Sequence, residues 1–271
     1  MINKIRHYFS VAQCLMSMAI KRQLEWLFTY ISIAISLPLK CAAGLVMIYV
    51  LVDRFSPLYG WSFSQLVFLY GLSYVSEGLA SGFAAQAWKI EVYIIRGDFD
   101  RSLVRPINVL FQFLFRFIYL VSFLDVVSGA IVLAYGCISA GFSLSFLNIA
   151  KMFAAIIGAT LIRMAFLIIV GSTAFWTKRS GALLNTGDEL MRRTTQYPLT
   201  IYPSIFQALF TFILPFGFIS FYPTSNLLKM GGNFSLPLNL VALTPVIGII
   251  LFVVSNKVFV AGLKIYESAG A

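Results

Sequence analysis

"TTQYPLTIYPSIFQALFTFILPFGFISFYPTSNLL", Thr194 to Leu228, contains no Asp, Glu, Lys or Arg. A second charge-free window runs from Met230 to Asn256. A helix needs about 20 mostly apolar residues to cross a hydrocarbon layer roughly 30 Å thick, and either window is long enough. The whole chain of 271 residues has the same character, with 60% hydrophobic and only 11% charged residues. A water-soluble domain carries about 25% charged residues, because its surface must face water. The chain therefore reads as an all-α integral membrane protein.

Working outward from these windows gives six transmembrane helices, expected near Leu27–Val52, Trp61–Ala87, Val109–Gly136, Ile149–Trp176, Ser204–Phe221 and Leu238–Val254. Ahead of them, Ile2, Ile5, Phe9, Ala12, Met16 and Ala19 recur at helical spacing, opposite Asn3, Arg6, His7 and Ser10. That pattern describes an N-terminal amphipathic helix lying in the membrane interface. The expected organisation is one domain over 1–271. It comprises an interfacial helix at 1–26, a six-span bundle at 27–256 with a polar loop at 88–108, and a tail at 257–271.

The net charge of +10 does not indicate nucleic acid, because the basic residues cluster at the ends of apolar runs. With both chain ends inside, the inner segments hold Lys4, Arg6, Lys21, Arg22, Lys89, Arg96, Arg101, Arg105, Lys178, Arg179, Arg192, Arg193, Lys257 and Lys264. Arg54, Lys151 and Lys229 fall outside. Such an excess orients the protein in a plasma or inner membrane with cytoplasmic termini. Trp61, Trp88 and Trp176 fall near span ends, where interfacial anchors belong.

Catalytic machinery is missing. No G-x-x-x-x-G-K-[ST] sequence occurs, so no P-loop cradles a nucleotide. His7 is the single histidine, and Cys14, Cys41 and Cys137 have unrelated spacings, which give no metal or disulfide pattern. The chain is not expected to be an enzyme or to carry a cofactor.

Five ionisable residues fall within the expected spans: Lys40, Glu77, Arg116, Asp125 and Arg163. A charge at the bilayer centre costs at least ~2.5–3.5 kcal/mol, so it normally faces a bundle interior or a wet cavity. Arg116 lies near an inner span end and can snorkel. The other four read either as the lining of a substrate path or as interhelical ion pairs. One functional reading is thus an ion- or proton-coupled secondary transporter using Glu77 and Asp125, although no inverted repeat supports it.

Between two apolar blocks stands "IIRGDFDRSLVRPIN", Ile94 to Asn108. Asp98 can cap a short helix there, on which Phe99 and Leu103 would share one face. Pro106 would end it. The result is a small amphipathic knob, or else an ordinary loop in which Arg96, Arg101 and Arg105 hold the segment inside.

This loop resembles that of ABC-2-type permeases, in the small six-span "ABC-2 family transporter" branch that includes viologen-exporter-like systems. The likeness continues in Thr194–Leu228, at Tyr197-Pro198, Pro215 and Tyr222-Pro223. It ends in "GLKIYESAGA", at Gly262, Tyr266, Ser268 and Gly270. Lys40 and Arg163 depart from the pattern. The resemblance implies the membrane-spanning permease of an ATP-binding-cassette transporter, usually an exporter. It implies a second permease, identical or paralogous, and a separate ATP-binding subunit that holds the ATP and Mg. That subunit would dock on the loop between spans two and three, here through Arg96, Asp98, Phe99, Leu103 and Arg105.

Overall fold

A computed structural model describes residues 27–55, 58, 60–105, 107–230 and 243–267. The expected interfacial helix at 1–26 lies outside the described residues, as do Pro106, Ser268 and Gly270. The chain runs through α1 (Leu27–Phe55), α2 (Phe63–Ala84), a 3₁₀ turn (Ala85–Lys89), α3 (Ile90–Ile95), α4 (Asp100–Leu103) and α5 (Val109–Phe115). It continues through α6 (Phe123–Ser139), α7 (Phe146–Ser172), α8 (Ala174–Thr177), α9 (Gly181–Gln196), α10 (Ser204–Ala208), α11 (Phe221–Leu227) and α12 (Leu243–Leu263).

Among the described residues, four helical stretches are long and apolar enough to cross a membrane: Tyr30–Arg54, Leu120–Ser139, Phe146–Thr177 and Leu243–Leu263. The pair Ser204–Ile213 and Phe216–Leu227 makes a fifth if its two limbs are one span. The helix α2 is 22 residues long but carries Ser73, Ser76, Ser81 and Glu77, and it is buried along nearly its whole length.

The helices α2 and α6 are antiparallel and in backbone contact. A Cβ on Gly71 would sit 2.6 Å from the Leu133 nitrogen, and one on Gly78 2.7 Å from the Val126 nitrogen. From the other side, a Cβ on Gly129 would meet the Val75 nitrogen at 2.7 Å. A seven-residue step is two helical turns, so Gly71 and Gly78 lie on one face. In lipid there is no hydrophobic drive between apolar helices, and bare backbone lets van der Waals packing take its place. Gly158 of α7 similarly receives Thr244 and Pro245 of α12 at 2.7 Å. Gly262 lies against Phe175, so α7 and α12 run in the same direction.

Three expected spans differ in the structure. The third is not one helix, because α5 ends at Phe115 and the crossing stretch starts at Leu120. Between them the Tyr119 amide donates to the Gly82 carbonyl of α2 at 3.1 Å, a tertiary bond in place of a helical one. Arg116 thus sits at a break, not within a span. The fifth expected span is bent by 78° between its limbs. Pro215 lacks an amide hydrogen and blocks continuation of a helix, and the turn before it, Leu209–Ile213, is π-helical. The sixth runs over Leu243–Leu263, so Lys257 lies in the helix and not in the tail.

The polar segment after α7 does not stay at the bundle end. A tight turn with Lys178 in the left-handed conformation (φ 60°) reverses the chain into α9. From there α9 runs back along α7 and α2, with Gly187 on the Phe166 ring and Thr195 against Ser73.

Candidate functional site

Glu77 is the centre of a buried ion network. Its α2 position is enclosed by α1, α6, α7 and α9, leaving the residue 6% exposed. Lys40 of α1 places Nζ 2.9 Å from Glu77 Oε1, and Arg192 of α9 places Nε 3.4 Å from the same oxygen. A second carboxylate on Arg192 comes from Asp188, one turn earlier, at 2.8 Å. Lys40 also lies over the Tyr74 ring, 5.6 Å from its centroid. One carboxylate therefore serves two cations from two different helices.

Arg163 of α7 is solvated differently. The residue is only 1% exposed, yet among the described residues no carboxylate lies within 4 Å of it. Its Nε donates to Ser76 Oγ at 3.1 Å, and its Nη2 donates to Ser73 Oγ and Thr195 Oγ1, both at 2.8 Å. Of the interhelical ion pairs open to Arg163, neither one with Asp125 nor one with Glu77 forms. Arg163 faces the serine stripe of α2, whereas Glu77 turns toward α1 and α9. Asp125 is buried on α6 beside Gly78, with no hydrogen-bond partner for Oδ1 among the described residues.

The four charges singled out by sequence thus divide. Lys40 and Glu77 pair directly, Arg163 neighbours them through hydroxyls, and Asp125 joins them through a hydrogen bond with Tyr74, the tyrosine whose ring lies under Lys40. Arg192, Asp188 and Thr195 are the residues that sequence reasoning missed, because they belong to a polar segment assigned to the inner surface. Their signal was available in the spacing: Asp188, Arg192 and Thr195 recur at helical steps of four and three.

Beside the network is a cavity of about 1060 Å³ between α1 and α9. Met47, Leu51 and Leu58 form an apolar wall, and Glu189, Arg192, Arg193 and Gln196 a polar one. The Arg193–Glu189 pair, at 2.6 Å, is more exposed than the Glu77 network. A molecule in this space would meet hydrocarbon on one side and paired charges on the other.

At the opposite end of α2 the polar loop is pinned by aromatic packing. Phe99 is 0% exposed. Its ring centroid is 5.5 Å from Tyr93, 5.4 Å from Phe113 and 5.6 Å from Phe175, with Phe259 and Tyr266 within 5.9 Å. This corrects the expectation that Phe99 and Leu103 form one outward face. The helix α4 has only four residues, Phe99 is its N-cap residue, and its side chain turns inward. Nor does Asp98 cap it, since α4 has no side-chain cap. The surface instead shows Ile95, Leu103 and Val104, the last 84% exposed, among the exposed Arg96, Arg101 and Arg105. Gly97 makes the reversal that presents them, at φ 72°.

Glu91, on α3, reaches across to the start of α9. Its Oε2 accepts from the Ser180 and Gly181 amides at 2.7 and 2.8 Å. These two backbone bonds hold the Glu91 carboxyl below its ordinary range. With the folded value depressed, the contact is complete at neutral pH and is lost as pH falls through that lowered value.

Residues 39–270 match the family model described as "ABC-2 family transporter protein". No curated protein and no solved structure shows significant similarity to the chain.

Proposed function

Because this chain belongs to the ABC-2 family of transporter proteins, we propose that it is the permease of an ATP-driven exporter, paired with a second permease and moved by a separate ATP-binding subunit. Family membership supports a transport-pathway subunit in a membrane and implies an ATP-binding partner. On our reading it sits with the viologen-exporter-like members, on the strength of its loop and tail motifs. The ATP-driven reading also absorbs Glu77 better than ion-coupled secondary transport does, since two cations already occupy that carboxylate.

The observation that carries the proposal is the loop at 88–108. Phe99 locks it to the bundle while Ile95, Leu103 and Val104 face outward within a basic rim. A motor can move a bundle only through a handle that does not yield, and this loop has a rigid base with an apolar, unburied top. Interface anchors are desolvated apolar side chains at the centre of a patch, with charges at the edge. We therefore move the docking contact from Phe99 to Leu103 and Val104, with Arg96, Arg101 and Arg105 as rim. Asp98 stays in the turn that shapes the patch.

In this reading α2 is a further crossing. Its serines and Glu77 are tolerable in a membrane because neighbouring helices shield them from lipid. The loop at 88–108, the turn at 177–180 and the chain ends then share the cytoplasmic face, as the distribution of Lys and Arg requires. The experiment is thiol labelling in intact cells, in a background without native cysteines. Ser143→Cys, in the turn after α6, should react with an impermeant reagent, whereas Arg179→Cys and Glu267→Cys should react only after lysis. Labelling of the last two from outside would refute this topology.

A further inference from the structure

We infer that Glu91 is a positioning residue, which couples the motor-facing loop to the buried ion network by gripping the N-terminus of α9. The inference rests on the docking role proposed for that loop. Three features of the molecule meet in it.

The first is the grip. The first amides of a helix have no partner within the helix, and an anion placed there also meets the positive end of the helix dipole. Ser180, the N-cap residue of α9, makes no side-chain cap bond, and its buried hydroxyl has no partner among the described residues. Glu91 supplies the missing acceptor from a different segment, about ninety positions back in the chain. A local cap would satisfy the helix equally well, but it would not tie the helix to the loop. Arg179 adds a further attraction at the same place.

The second is the rod. With 16 residues α9 is about 24 Å long at 1.5 Å per residue. It has no proline or internal glycine except Gly187, which is packed on the Phe166 ring. A displacement at Ser180 therefore arrives at Arg192 and Thr195 with little lost to bending.

The third is what the far end holds. Arg192 forms an ion pair with Glu77, and Thr195 accepts from Arg163 and from Ser73. The Thr195 carbonyl accepts from Ser220 at 2.6 Å, which ties the bent pair to the same point. Glu189, Arg192, Arg193 and Gln196 are the polar wall of the cavity. One short lever thus joins the loop, the charges and the cavity wall. A cap alone would need none of these connections.

The test uses the complete transporter, permease with its ATP-binding subunit, in lipid nanodiscs. The permease carries Gln196→Cys as a reporter at the cavity wall and has Cys14, Cys41 and Cys137 replaced by serine. Labelling by a maleimide is timed without nucleotide and after trapping with ATP and vanadate. Trapping should change the rate several-fold in the Glu91 protein. Glu91→Ala should abolish that change while still retaining the ATP-binding subunit. Glu91→Gln keeps an acceptor without the charge and should give a reduced response, which decides the matter should Glu91→Ala fold poorly. An undiminished response in both variants overturns the inference and leaves the docking role standing. Failure of the Glu91 protein itself to retain an ATP-binding subunit would refute the docking role, and the inference with it.

Discussion

Glu77→Ala should cost the protein most of its assembled form, more than removal of any other single charge. The carboxylate is buried and is the only anion within 4 Å of Lys40 among the described residues. Without it, Lys40 loses its counter-ion, and Arg192 keeps only Asp188. Arg163, already held by neutral hydroxyls, loses the nearest negative charge to its serine cradle. Breaking a buried ion pair from one side costs about 3–5 kcal/mol, a large fraction of a native stability of roughly 5–15 kcal/mol. Lys40→Ala should be milder, because the Lys40 side chain is 37% exposed and Glu77 keeps Arg192. Joining Lys40→Ala to Glu77→Ala should recover part of the loss, since one stranded cation is then gone. The measurement is the monodisperse fraction after detergent extraction, together with the melting temperature. A Glu77→Ala protein with normal yield and melting but no transport would make the network part of the pathway and not of the scaffold.

The second large effect is expected at Phe99. Its ring meets five other aromatic rings, drawn from α3, α5, α8, α12 and the tail. Truncating a buried Phe to Ala costs about 3–5 kcal/mol where the cavity cannot collapse. Here the cost falls on the anchoring of one loop. Phe99→Ala should make the loop cleavable by trypsin at Arg96 and Arg101 and should weaken retention of the ATP-binding subunit. Val104→Ala removes an exposed side chain. It should leave trypsin resistance intact and weaken retention alone. If Phe99→Ala leaves the loop as resistant as the unaltered protein, the aromatic anchor is not what holds it.

Much of this architecture is legible in the sequence. The charge-free windows announce membrane helices because lipid excludes charge. Lys40, Glu77 and Arg163 declare themselves by standing where charge is expensive. Other features are written only in tertiary contacts. The break between α5 and α6 falls at Phe117, Ile118 and Tyr119, residues whose composition continues the apolar run. What ends the helix is the Gly82 carbonyl of α2. Arg192 sits among polar neighbours in sequence, so nothing in composition separates it from a surface arginine until α9 folds back against Glu77. Phe99 shows the opposite difficulty. A lone aromatic in a polar loop reads as a contact for a partner. Its five aromatic neighbours come from positions as distant as Phe259 and Tyr266, which no local pattern brings to it.

On the proposed reading, this chain supplies the path and a separate subunit, seated on Leu103 and Val104, supplies the work. That claim is tested most directly by measuring ATP hydrolysis in three purified preparations: the permease alone, the permease with its ATP-binding subunit, and the same pair carrying Leu103→Asp with Val104→Asp. The claim predicts no hydrolysis above background from the permease alone and clear hydrolysis from the pair. It also predicts loss of the subunit, and of the activity with it, from a doubly substituted permease that still inserts and melts normally. Hydrolysis by the permease alone, or full retention of an active subunit by the doubly substituted permease, would contradict it.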